Sequence, residues 1–140
     1  MSFKIIEEIV SGDFVFQAAG ETIEELFESC AQACFSAMTE LSGVDAGIDY
    51  TVNITAESID DLLFNYLAEL IYLKDTEKIF LSKFDIKINI DDVSLNSVAW
   101  GERIDYNKHV IKTDVKAVTY YDLHVEQIGD EFRVRVILDL

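Results

Sequence analysis

The apolar positions of this chain change period along its length, and each change marks an element. From Thr22 the stretch "TIEELFESCAQACFSAM" repeats its apolar residues every three or four positions: Ile23, Leu26, Phe27, Cys30, Ala31, Cys34, Phe35 and Met38. That is one wide stripe, opposite Glu24, Glu28, Ser29 and Gln32, and it predicts an amphipathic helix. Thr22 followed by Glu25 forms a capping box, and Gly20 breaks the chain just before it. A second helix is predicted from Ser58, the expected N-cap, with Asp60 and Asp61 in the first turn where the helix dipole favours negative charge. Its residues Leu62, Leu63, Tyr66, Leu67, Leu70, Ile71 and Leu73 are dense enough to require a largely buried helix.

Elsewhere the period falls to two. "FDIKINI" puts Phe84, Ile86, Ile88 and Ile90 on one face, and "FRVRVILDL" does the same with Phe132, Val134, Val136 and Leu138. Further strands are predicted at Phe3–Val10, Phe14–Ala19, Ile48–Thr55, Ser94–Ile104, Val115–Tyr120 and Leu123–Ile128. Gly129-Asp130 reads as a tight hairpin turn between the last two strands, and Gly12-Asp13 as the turn between the first two. The order is strands, helix, strand, helix, then a run of strands. It predicts an α+β fold of layered antiparallel or mixed β-sheets with two main helices. No repeat, linker or low-complexity tract divides the 140 residues, so one domain spanning 1–140 is expected.

Charge narrows the function. The 27 acidic and 11 basic residues give a net charge of −16, which repels nucleic-acid phosphate and favours a basic protein partner or a cation. The N-terminus carries charge inside its apolar run and does not read as a signal peptide, and no stretch approaches the roughly 18 apolar residues of a membrane span. The expected compartment is the cytoplasm. Cys30 and Cys34, with no further Cys or His nearby, are expected to be small buried core residues. Trp100 and Gly101 are expected to serve packing and a close backbone approach.

The chain has no phosphate-binding glycine loop, no nucleophile elbow and no zinc-type spacing. Of its two histidines, His124 alternates with Leu123 and Val125 and is expected to face solvent. His109, in the polar loop "DYNKHVIK", is the better functional candidate. What remains is oxygen chemistry. Asp13 sits at the first hairpin, while Asp139 and the Leu140 carboxylate end the last strand. Should those strands be neighbours, up to three anionic groups converge, a cluster that repels itself unless a proton or cation sits inside it. Carboxylates without Cys or neutral His suit a hard ion, calcium or magnesium.

The segments "AAGETIEELFESCAQACFSAMTEL", "DLLFNYLAELIYLKDTEKIFLSKFDIKI", "AWGERID" and "DVKAVTYYDLHVE", with the terminal "VILDL", resemble archease, in order from about residue 5 to the end. The resemblance implies a small cytosolic α+β protein that assists the RtcB-type RNA ligase of tRNA splicing. That ligase uses GTP and a divalent metal to form a guanylylated histidine, and the family is understood to speed this step without joining RNA itself. The resemblance also implies a metal site at Asp13 and Asp139, with Leu140 supplying terminal oxygen, calcium as the ion, and a functional lysine at Lys116. Two departures stand out. Val10-Ser11-Gly12 replaces a His-Thr-Ala that precedes the first aspartate in the family, and Tyr121 stands where the family often has histidine. Two other readings stay open on the residues alone: a metal-dependent hydrolase using the same carboxylates, and a metal-free acidic protein-binding scaffold.

Overall fold

The computed structural model describes residues 2–10 and 12–140, with the side chains of 6–10 left outside the description. Its elements in chain order are β1 (Ser2–Val10), β2 (Asp13–Gly20), α1 (Ile23–Ser36), β3 (Ile48–Thr55), α2 (Ile59–Glu77), β4 (Ile79–Asn89), β5 (Ser94–Arg103), β6 (Ala117–Val118), β7 (Glu126–Ile128) and β8 (Glu131–Asp139). Two antiparallel sheets result. One runs β1-β2-β8-β6, with β7 also pairing β8; the other runs β3-β5-β4. The α+β layering expected from the periodicity is what forms.

Both helices begin at their predicted N-caps, although the Glu25 carboxylate reaches back past Thr22 to the residue before it. Thr22 Oγ1 accepts the Glu25 N–H at 3.1 Å, while the Glu25 carboxylate accepts the Glu21 N–H at 2.9 Å. Ser58 Oγ accepts the Asp61 N–H at 3.1 Å. Helix α1 packs on β2 and β4, one strand from each sheet, so the core lies between the sheets and around this helix. Cys30 and Cys34 are free and fully buried there. Burial pushes both thiols up, Cys34 to about 12, so neither is a nucleophile at neutral pH.

Several expectations change in detail. Ser29, assigned to the polar face of α1, is fully buried. Its hydroxyl donates to the Ala19 carbonyl at 3.1 Å and accepts the Ser2 N–H at 3.0 Å, so two backbone groups replace water. Strand β4 begins at Ile79, well before Phe84, because Ile79, Phe80 and Leu81 are all buried and show no alternation. A bulge between Leu81 and Lys83 then restores the period of two. Gly101 lies opposite it, and a Cβ there would stand 1.9 Å from the Phe80 carbonyl oxygen; the close backbone approach is real. Lys83 covers the Trp100 ring, its Nζ 4.9 Å from the centroid.

The strand predicted over 115–120 shrinks to Ala117–Val118, and that over 123–128 to Glu126–Ile128. Side chains take the backbone groups a longer ladder would use. The Val115 carbonyl accepts from Lys74, and the Val125 N–H donates to the Asp60 carboxylate. The Gly129-Asp130 turn forms, closed by the Ile128–Glu131 pair with Gly129 at φ 63°. The first turn lies one residue earlier than predicted. Val10 pairs with Asp13, Gly12 takes φ 85°, and Asp13 is the first residue of β2. Ser11, in the departure from the family pattern, lies outside the described residues.

Candidate functional site

The antiparallel β2–β8 ladder sets the geometry of the acidic corner. Phe14, Phe16 and Ala18 of β2 pair with Leu138, Val136 and Val134 of β8, and all six are core residues. Alternation therefore sends Asp13, Val15 and Gln17 to the opposite face, together with Asp139, Ile137 and Arg135. Asp13 and Asp139 are direct cross-strand partners at the end of this ladder. Opposed residues of this kind hold their Cβ atoms roughly 4.5–5.5 Å apart, near enough for both side chains to reach one ion.

The last residue is anchored from two sides. The Leu140 N–H donates to the Gly12 carbonyl at 3.0 Å, and its half-buried side chain packs on the core. The main chain at Leu140 is thereby fixed beside the Gly12 turn that precedes Asp13. Lys116 joins from the far side of β8: its N–H donates to the Asp139 carbonyl at 2.8 Å, next to the Ala117–Asp139 pair. The main chains of four candidate residues, Asp13, Asp139, Leu140 and Lys116, thus meet at one corner.

The donor chemistry there is all oxygen. No group of three or more His, Cys, Asp and Glu side chains able to hold a metal assembles among the described residues. Asp13 and Asp139 offer two side-chain carboxylates, with the Leu140 main chain beside them. Among the described residues no Lys, Arg or His forms a salt bridge with either aspartate. Such a set fits a hard divalent cation, whose remaining positions water or a partner's oxygens would fill, because calcium takes about 6–8 oxygens.

His109 is elsewhere. It is buried in the loop after β5, its ring edge-on to Phe80 with centroids 5.5 Å apart. Nδ1 accepts the Asp105 N–H at 2.9 Å, which places the ring proton on Nε2, 2.7 Å from the Glu102 carboxylate. Glu102 also receives Lys108 Nζ at 2.7 Å and the Asp45 N–H at 3.1 Å. These hydrogen bonds, with that from Lys108 the largest, hold its carboxyl down at about 2. The cluster fastens the 105–109 loop to β5. His124 faces solvent as expected and bonds the Asp60 carboxylate at 2.9 Å, which raises its pKa.

One residue near the corner escaped the sequence reading. Lys74 continues the buried stripe of α2 past Leu70 and Ile71, and it is 4% exposed. A cation in register with an apolar stripe was the available signal.

Comparison with known proteins agrees over nearly the whole chain. The model of the archease protein family matches residues 3–140. A protein archease from Methanothermobacter thermautotrophicus is 40% identical over 133 residues, covering 94% of both chains. Another, from Sulfurisphaera tokodaii, is 32% identical over 130 residues, covering 93% of this chain and 94% of its own. The solution structure of Methanobacterium thermoautotrophicum protein 1598 superposes with a TM-score of 0.85 at 38% identity, covering 99% of this chain and 98% of that one. The crystal structure of an archease, possible chaperone, from Thermotoga maritima shares the fold, with a TM-score of 0.67 at 20% identity over 94% and 93% of the two chains.

Proposed function

The chain belongs to the archease family, and from that premise we propose that it is an accessory protein, not itself a ligase, that activates an RtcB-type RNA ligase. Its proposed effect is to promote guanylylation of the ligase through a divalent cation, calcium, held at the acidic corner. The observation that carries this reading is the Asp13–Asp139 pair closed by the anchored terminus of Leu140. Two like charges in direct opposition destabilise a sheet unless something positive joins them, so their pairing at an ordered chain end supports cation binding.

Asp13 and Asp139 would grip the ion from adjacent strands, and the Leu140 carboxylate would close the third side. A bound divalent cation supplies positive charge toward phosphate oxygens. The β2–β8 register that pairs the two aspartates supports this arrangement, and Lys116 would add a side-chain cation on the flanking segment. The net charge of −16 suits docking on a basic protein surface. No helix is long and apolar enough to cross a membrane among the described residues.

The test is guanylylation of the cognate ligase with GTP, with and without this protein. The guanylylated fraction should rise with it and stay at the basal level with Asp13→Asn or Asp139→Asn. Stimulation that survives both substitutions removes the corner from the mechanism. Phosphate or nucleotide release by the protein alone, abolished by chelator, would instead establish a hydrolase.

A further inference from the structure

The 104–116 segment between β5 and β6 has no regular structure beyond a short turn, yet it delivers Lys116 to the corner. It is fastened in stages. The Lys112 N–H donates to the Met38 carbonyl at 3.0 Å, and Thr113 bonds the Ala37 carbonyl through both its N–H, at 3.3 Å, and its Oγ1, at 2.7 Å. These bonds hold the segment to the end of α1. The next main-chain bond is that of the Lys116 N–H to Asp139. Between the two, the Val115 side chain packs in the core, and Lys74 supplies the side-chain hydrogen bonds to Asp114 and to the Val115 carbonyl.

Lys74 Nζ lies 2.7 Å from Asp114 Oδ1, 2.6 Å from Asp75 Oδ1 and 3.0 Å from the Val115 carbonyl oxygen. Three partners use all three ammonium protons. Desolvation works to lower its pKa, but hydrogen bonds to Asp114 and Asp75 outweigh it and hold the ammonium above the ordinary lysine range. Val115 is fully buried, so its carbonyl would lose its partner without Lys74. A buried charge costs desolvation that an apolar residue of similar volume avoids, so stability alone is a poor reason for a lysine here.

We propose that Lys74 is a positioning residue, which holds Lys116 against the Asp13–Asp139 corner by clamping Asp114 and Val115 from α2. The activity arm of its test rests on the ligase-activator reading above; the structural arm does not.

Hydrogen exchange on the full chain reads the clamp directly. In Lys74→Met the Lys116 amide should exchange about tenfold faster, the scale of losing a hydrogen bond to a charged group, while β2–β8 ladder amides keep their rates. Ligase stimulation should fall to the level of Lys116→Ala. The double variant should be no worse than Lys116→Ala alone, because the two residues act in series. Lys74→Arg, which keeps the charge and donors, should restore most of both signals. Asp114→Asn, altering an exposed partner, should shift Lys116 exchange in the same direction by less, and it decides the matter if Lys74→Met unfolds. Unchanged Lys116 exchange in Lys74→Met and Asp114→Asn overturns the proposal, as do additive losses in the double variant. Absence of stimulation by the unmutated protein counts against the ligase reading only, and the exchange result still decides the clamp.

Discussion

Asp13 and Asp139 stand directly opposite each other across the β2–β8 ladder, on the face turned away from the core. Like charges so placed cost up to about 1 kcal/mol. In chelator, Asp139→Asn should therefore melt as high as the unmutated protein or a few degrees above it, since 1 kcal/mol is about 3 °C for a chain of this size. Millimolar calcium should raise the melting temperature of the unmutated protein, because a ligand that binds only the folded state stabilises it. The same calcium should leave Asp139→Asn unmoved. Thermal melts in chelator and in calcium check both halves, and a flat response of the unmutated protein would favour the metal-free scaffold.

The terminal carboxylate can be tested apart from the side chain that anchors it. A Gly-Ser tail appended to Leu140 keeps the half-buried leucine and its N–H bond to Gly12, but it carries the carboxylate away. The calcium-dependent shift in melting should shrink or vanish, while the chelator melt moves by no more than about 0.5 kcal/mol, as for a surface change. A full calcium response with the tail in place would leave Leu140 with a packing role alone.

Much of this architecture was written in local pattern. The α1 stripe, both N-caps and the buried face of β8 follow from residues within a few positions of one another, where periodicity and capping chemistry act. Other surroundings depend on partners distant in the chain. Ser29 looks solvated until Ala19 and Ser2 satisfy its hydroxyl, and Lys74 looks exposed until Val115 and Asp114 close over it. His109 sits in a polar stretch, yet Glu102 and Phe80 enclose it. The candidate corner was legible only in part. Two acids at chain corners can be seen in the sequence, but a register that pairs Asp13 with Asp139 is set by the fold.

Gly101 offers a sharp test of the second sheet. A methyl group there meets the Phe80 carbonyl oxygen and the Leu81 Cα, both backbone atoms of the paired strand at its bulge. Neither can rotate away, so the strands must separate. Gly101→Ala should lose more than about 3 kcal/mol in urea denaturation, at the severe end for one added methyl group. Near-unchanged stability would mean that β4 and β5 approach less closely than their register implies.

The Glu102 cluster predicts how stability responds to acid. Its carboxyl titrates at about 2 in the folded protein against 4.5 ordinarily, because Lys108, the Asp45 N–H and His109 all stabilise the anion. Between those values the unfolded chain binds a proton that the folded chain refuses, so stability rises with pH through this window and falls on acidification. The contribution of Glu102 is complete above about 4.5 and gone below about 2. Glu102→Gln should accordingly be less stable than the unmutated protein at pH 7, with the gap narrowing as the pH falls through this range. Urea midpoints for the pair at pH 7 and pH 3 measure the difference. A gap that stays constant between them would assign the role of Glu102 to neutral hydrogen bonding, which glutamine fails to reproduce, and not to its charge.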